Sequence, residues 1–369
     1  MQQDGALTRT IAQRAIDAKT KPLGALGRLE EIAVRLSLLQ QTLTPTVDRA
    51  CICVFGADHG VADEGVSAYP RAVTAEMMRN FERGGAAINV IARANAVDVE
   101  VVDVGVDADL SDLTGIRHAK VRNGSRNFAV EPAMTDSELA DALAVGAASV
   151  DRATRRGYHI VGFGEMGIGN TSAASAVLSA LTGQPTSHTV GRGTGVSDEA
   201  LAQKREIIDR SLALHANAIG TRDGRECLRH LGGLELAAIA GATLEGARQG
   251  LALVADGFIS TVAVLCAIRI ATTEFEELLP VLRNSLFFAH RSTELGHGLA
   301  LEACGTALGT TVWPLLDLEM RLGEGTGAAL AVPLLRSAAT VMRDMATFAS
   351  ANVSAGDRLD EHSVAVASS

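Results

Sequence analysis

Between residues 50 and 320 the chain repeats one piece of grammar: a short apolar run, a turn rich in glycine and aspartate, then a long stretch with helical spacing. The runs fall at 51–57, 97–106, 159–163, 251–255, 286–289 and 313–318. Runs this short and continuous suit strands buried on both faces, and strands that alternate with helices make a parallel sheet covered on both sides. Helices are expected over 74–94, 135–155, 170–182, 198–217, 233–248, 258–271 and 326–350. Residues 6–43 read as two further helices around the punctuated stretch Lys21-Pro22-Leu23-Gly24. In an open parallel sheet, ligands bind outside the carboxyl ends of the strands. Asp58, Glu165, Asp256, Ser292 and Glu324 each lie just after an apolar run. The topology therefore gathers them on one rim, although they are far apart in sequence.

Composition narrows the chemistry. Of 369 residues 47% are apolar but only 3% aromatic, so the core must be closely packed Ala, Val, Leu and Ile. A net charge of −10 disfavours nucleic acid, whose phosphates call for a basic face. No apolar run is long enough to span a membrane, and the first twenty residues lack the apolar core of a secretory signal. The five cysteines show neither CxxC nor Cys/His metal spacing. A reduced cytoplasmic protein without structural zinc is expected.

The glycine loops carry the chemistry. In Arg321-Leu322-Gly323-Glu324-Gly325-Thr326-Gly327, one carboxylate stands between glycines, just before a helical stretch. It is either a helix-capping charge or a general base over a bound substrate, and the second explains the flanking glycines better. Gly164-Glu165-Met166-Gly167-Ile168-Gly169-Asn170-Thr171 lies between a strand and an Ala-rich helix, where backbone N–H groups cradle anions. It lacks the Gly-Lys-Ser/Thr ending of a P-loop and the third glycine of a dinucleotide fingerprint. A second loop, Val190-Gly191-Arg192-Gly193-Thr194-Gly195, precedes a helix bearing Lys204, which is either a phosphate counter-charge or a solvated lysine. His59, without a second histidine at ligand spacing, makes a weak metal site and reads as part of a structural, substrate-lining loop. His290, Ser292 and His297 invite a triad reading, but no Gly-x-Ser-x-Gly elbow supports one.

Taken together, Phe55-Gly56-Ala57-Asp58-His59-Gly60, Glu64-Gly65-Val66-Ser67, Asn80-Phe81, Gly84-Gly85-Ala86-Ala87-Ile88-Asn89 and the loops above resemble one family. It is the nicotinate-nucleotide–dimethylbenzimidazole phosphoribosyltransferases, of cobalamin lower-ligand synthesis. The resemblance runs from about Lys21 to about Val353. It implies transfer of the phosphoribosyl group of nicotinate mononucleotide to dimethylbenzimidazole, giving α-ribazole 5′-phosphate and nicotinate with inversion at the anomeric carbon. It also implies a Rossmann-like three-layer α/β domain over 46–325. A small helical domain would form from 1–45 and 326–353, with a flexible tail over 354–369. The family works as a homodimer, with no cofactor and no metal. Residue by residue, the resemblance makes Glu324 the base, with Glu165 stabilising positive charge on the ribose or partly replacing the base. Gly167, Gly193, Gly195, Lys204 and Ser292 would contact phosphate and ribose. Leu322 and Gly323 would line the base pocket.

One departure stands out. The family usually carries glutamine where Glu76 stands, beside the aromatic base, and an ionised carboxylate accepts but does not donate a hydrogen bond. The acceptor is then dimethylbenzimidazole or another benzimidazole, a purine or a phenol. Two other classes compete. A nicotinamide-dependent dehydrogenase would need a full G-x-G-x-x-G after an early strand, where this chain has Asp58-His59-Gly60. A non-catalytic base carrier would not need both Glu165 and Glu324.

Overall fold

The computed structural model describes residues 6–193, 195 and 197–354. Two helices, α1 (Arg9–Asp17) and α2 (Arg28–Gln40), lead into β1 (Ala50–Ala57), α3 (Ala72–Arg83), α4 (Ala87–Ala94), β2 (Asp98–Gly105) and the short β3 (Arg117–His118). Then come α5 (Asp136–Arg155), β4 (Ile160–Met166), α6 (Asn170–Thr182), α7 (Thr186–Thr189), α8 (Asp198–Leu214) and α9 (Ala216–Ile219). The chain continues through α10 (Gly224–Leu231), α11 (Leu234–Arg248), β5 (Ala252–Ala255), α12 (Phe258–Glu274), α13 (Leu279–Ser285) and β6 (Leu286–His290). It closes with α14 (His297–Leu308), β7 (Pro314–Leu316), α15 (Thr326–Asp344) and α16 (Phe348–Ala351).

The seven strands form one sheet in the order β3-β2-β1-β4-β5-β6-β7. Every pairing is parallel. The fold is α/β, as the strand–helix grammar requires. β1 pairs with β2 on one side and β4 on the other, so the order reverses between β1 and β4, where such sheets open a crevice. All eight residues of β1 are buried. Its odd positions Cys51, Cys53 and Phe55 join the large core that also takes residues of α5, α6, α11, α12 and α14. Its even positions face the other way: a Cβ on Gly56 would strike Met78 of α3. This alternation is the two-residue period of a strand covered on both sides.

Small residues set how closely the layers approach. A Cβ on Gly146 of α5 would run into the Ala238 carbonyl of α11, and one on Gly241 of α11 into the Leu143 carbonyl of α5. The two backbones therefore touch where a side chain would otherwise keep them apart.

Arg49–Val332 form one compact unit, and Met1–Asp48 with Pro333–Ser369 the other. In the smaller unit the two chain ends meet: Lys19 Nζ donates to the Met345 carbonyl (2.7 Å), and Lys19 bridges to Thr347. A buried Lys21–Glu30 ion pair (2.9 Å) lies in the same unit. Residues 355–369, most of the stretch expected as a tail, lie outside the described residues.

Several expected elements change on inspection. The helix read over 74–94 is two helices, because Gly84 takes φ +76° and caps α3. The helix read over 198–217 ends at Leu214, and the one read over 326–350 ends at Asp344, before the separate α16. α10, α13, α14 and β3 were not foreseen. Glycines interrupt the apolar spacing of α14, and both residues of β3 are exposed. No described helix is long and apolar enough to cross a membrane.

Candidate active site

A cavity of about 640 Å³ lies over the carboxyl ends of β4, β5 and β6 and beneath the turn that opens α15. Glu165, Asp256, Ser292 and Glu324 line it, so four of the five rim residues converge. The fifth, Asp58, is buried instead as an acceptor for the Asp107 N–H (2.8 Å).

Glu324 occupies an unusual backbone position. It sits at φ +64° between Gly323 (+83°) and Gly325 (+86°), three successive left-handed residues. A non-glycine residue pays strain there, so its surroundings must hold it in place. β4 approaches closely enough that a Cβ on Gly164 would collide with the Glu324 carbonyl. One Glu324 oxygen, Oε2, accepts the Ile88 N–H near the start of α4 (3.1 Å). Burial raises its pKa from the ordinary carboxylate value. The charge of Asp256 adds to that shift, and the Ile88 N–H opposes it.

Glu165 is more strongly perturbed. It lies near the end of β4, takes a hydrogen bond from the Asn170 amide, and would meet any Cβ placed on Gly323. Burial, then the charges of Asp256 and Glu235, push its pKa up to about 8, so it keeps its proton near neutrality. Asp256 follows β5 directly and is itself buried. Its Oδ2 accepts the Gly325 N–H (3.2 Å) and its Oδ1 the Ala328 N–H (2.9 Å).

The cationic element is Lys204 of α8. At 1% exposure it is not a solvated lysine. Its Nζ donates to Thr171 Oγ1 (3.0 Å) in the first turn of α6 and lies beside Gly193, and both of these residues line the cavity. Burial lowers its pKa to about 8. The start of α6 has no side-chain cap at Gly169, and the Asn170 and Ser172 N–H groups donate to the Gly167 and Gly169 carbonyls (3.1 and 2.9 Å). Gly167 is fixed sterically, since a Cβ would strike the Ala57 carbonyl.

The other expected residues divide. Gly193, Ser292, Leu322 and Gly323 line the cavity. Gly195 does not: it borders a separate hollow of about 380 Å³ with Arg192, Arg205 and Arg321. Glu76, expected beside the base, is exposed on α3 and is not among the residues lining the cavity. One helical step turns it outward, and Tyr69, Val73 and Met77 provide the wall there. Val73 and Met77 were not anticipated, although their spacing marks one face of α3; Tyr69 lies in the loop before that helix.

No catalytic triad is present at Ser292. Its backbone N–H donates to His297 Nδ1 (2.8 Å), while its hydroxyl accepts from the Glu294 N–H (3.3 Å). His297 is neutral, with its pKa held down to about 3 by burial and by His290. His59 pairs instead with Glu235, Nε2 to Oε1 at 2.6 Å, both fully buried beneath the glycine loop. That partner was missed, although a lone carboxylate opening the apolar stretch 234–244 was the signal. Among the described residues no group of three or more His, Cys, Asp or Glu is placed to hold a metal ion.

Residues 2–353 match the family model described as phosphoribosyltransferase. A nicotinate-nucleotide–dimethylbenzimidazole phosphoribosyltransferase of Cupriavidus necator is 50% identical over 95% of this chain and 96% of that protein. One from Pseudomonas aeruginosa is 48% identical over 95% of each. The crystal structure of CobT from Thermus thermophilus superposes with a TM-score of 0.85 at 46% identity, covering 94% of this chain and 99% of that one.

Proposed function

We infer the reaction from the family to which the chain belongs, the nicotinate-nucleotide–dimethylbenzimidazole phosphoribosyltransferases: it is a pentosyl-transferring enzyme of cobalamin synthesis. It moves the 5-phosphoribosyl group of nicotinate mononucleotide to dimethylbenzimidazole, releasing nicotinate and forming α-ribazole 5′-phosphate. A ring nitrogen of the base attacks the anomeric carbon from the face opposite the leaving group. The C–N bond to nicotinate breaks, and its electron pair neutralises the pyridinium. The second ring nitrogen of the base must then lose its proton. Glu324 is the group we assign to take it.

The observation that carries this assignment is the buried carboxylate of Glu324, held in a left-handed turn over the cavity. Its raised pKa makes its carboxylate a stronger proton acceptor than that of a solvated glutamate. Glu165 we assign as a neutral, hydrogen-bonding acid near pH 7 that becomes a second carboxylate only above about pH 8. Lys204, Thr171, Gly167 and Gly193 form the proposed phosphate end, and Ser292 a ribose contact. Leu322 and Gly323, with Tyr69, Val73 and Met77, form the base wall. Gly195 and Glu76 keep a part only if substrate reaches beyond the cavity.

We also propose a homodimer in a reducing cytoplasm. The exposed apolar side chains of Tyr69 and Leu322 on the cavity and of Leu295 beside it offer surface to a second copy. All five cysteines are free and buried. Light scattering tests the first statement.

The deciding experiment mixes the purified protein with nicotinate mononucleotide and a panel of benzimidazoles, purines and phenols. It follows nicotinate release together with ribosylated product. Product with dimethylbenzimidazole is expected. Nucleotide binding without product from any base would make the chain a carrier.

A further inference from the structure

We propose that Asp256 is a positioning residue for Glu324, gripping the backbone just beyond it so that its carboxylate stays over the cavity. This rests on the reading of Glu324 as the base.

The argument is geometric. The turn at 323–325 runs through three left-handed residues, one of them not glycine, and such a turn needs an external hold. Asp256 supplies it with both carboxylate oxygens, one on the Gly325 N–H and one on the Ala328 N–H. These are donors that the first turn of α15 cannot satisfy internally. The same residue lines the cavity, so the grip sits at the reacting end and not on the outer surface. A carboxylate suits the task because it accepts twice. Asparagine accepts once and presents its amide to the other N–H.

The site around it is crowded with charge. His290 Nε2 lies 4.0 Å from Asp256 Oδ1 at the end of β6. Glu165 faces it from β4, and Glu235 of α11 adds to the field around Glu165. Glu324 feels Asp256 on one side and the Ile88 N–H of α4 on the other. Asp256 thus acts on Glu324 twice, through the backbone and through its charge. The charge makes the base harder to ionise and stronger once ionised.

The test compares Asp256→Asn, Glu324→Gln and the double variant by nicotinate release across the pH range. Asp256→Asn should lower kcat about a hundredfold, the cost of a base displaced by about 1 Å. The KM for nucleotide should stay within about twofold. The acid limb of kcat should move to lower pH, because a negative neighbour of Glu324 is gone. In the Glu324→Gln background the same change should cost almost nothing further. A wild-type kcat with an unmoved acid limb overturns the proposal. So does an equal loss in both backgrounds, which would give Asp256 its own part in the chemistry. A Glu324→Gln enzyme as fast as wild type sinks the base assignment, and this proposal with it. If the Asn variant does not fold, Asp256→Ser keeps one acceptor in a smaller side chain and carries the same expectations.

Discussion

At the scale of single residues, the cavity is governed by groups whose charge is costly. Glu324→Gln keeps shape and removes the proton acceptor, so turnover should fall by about 10²–10⁴-fold with the fold unchanged by circular dichroism. Glu165 makes a prediction about stability. Its folded pKa of about 8 lies above the ordinary 4.5, so the folded state keeps a proton that the unfolded chain gives up. Its contribution is fully present below pH 4.5 and is lost as pH rises through about 8. Glu165→Gln, which cannot ionise, should gain on the wild type across that window, by on the order of 4 kcal/mol at its top in urea melts. Lys204 has the opposite sign: burial lowers it to about 8, so nucleotide affinity should weaken as pH rises past that value. Lys204→Ala should bind nucleotide about tenfold more weakly and lose this pH dependence, as read by calorimetry. Glu324 and Glu165 were legible because glycines flank them. The grip of Asp256 was not, because its partners are backbone N–H groups about 70 residues on, which no spacing rule reaches.

At the scale of elements, six of the seven strands could be read from the sequence because both faces of the sheet are covered there and their apolar runs are unbroken; the exposed β3 could not. The helices with irregular spacing could not. α14 carries Gly298 and Gly305 where a regular pattern would place side chains, and Gly305 lets the Thr310 carbonyl approach. The α5–α11 contact shows what such glycines do. Gly146→Ala should destabilise the fold by about 3 kcal/mol, seen as a lower melting temperature, since carbonyl oxygens of α11 cannot move aside as a side chain can. Helix α3 carries the second test at this scale. Val73 and Met77 line the cavity while Glu76 faces out, so Met77→Ala should change the ranking of aromatic bases by about tenfold in kcat/KM. Glu76→Gln should leave that ranking unchanged. The reverse result would restore Glu76 to the base pocket.

At the scale of the whole molecule, the rim of a parallel sheet explains why residues scattered through the chain meet. Asp256, His290 and Glu324 arrive from three separate crossovers, and the backbone N–H that steadies Glu324 comes from 236 residues earlier. Sequence could announce this convergence because strand ends are predictable, but it could not give the distances within the cluster. The hold of Asp256 on Gly325 and Ala328 has a consequence for how the protein is made. During synthesis Asp256 emerges well before the segment it will clasp, so for that interval the two N–H groups it will hold are not yet there. The site is therefore completed late, when the start of α15 leaves the ribosome and closes over the sheet. Until then the nascent chain has the glycine cradle but lacks its base.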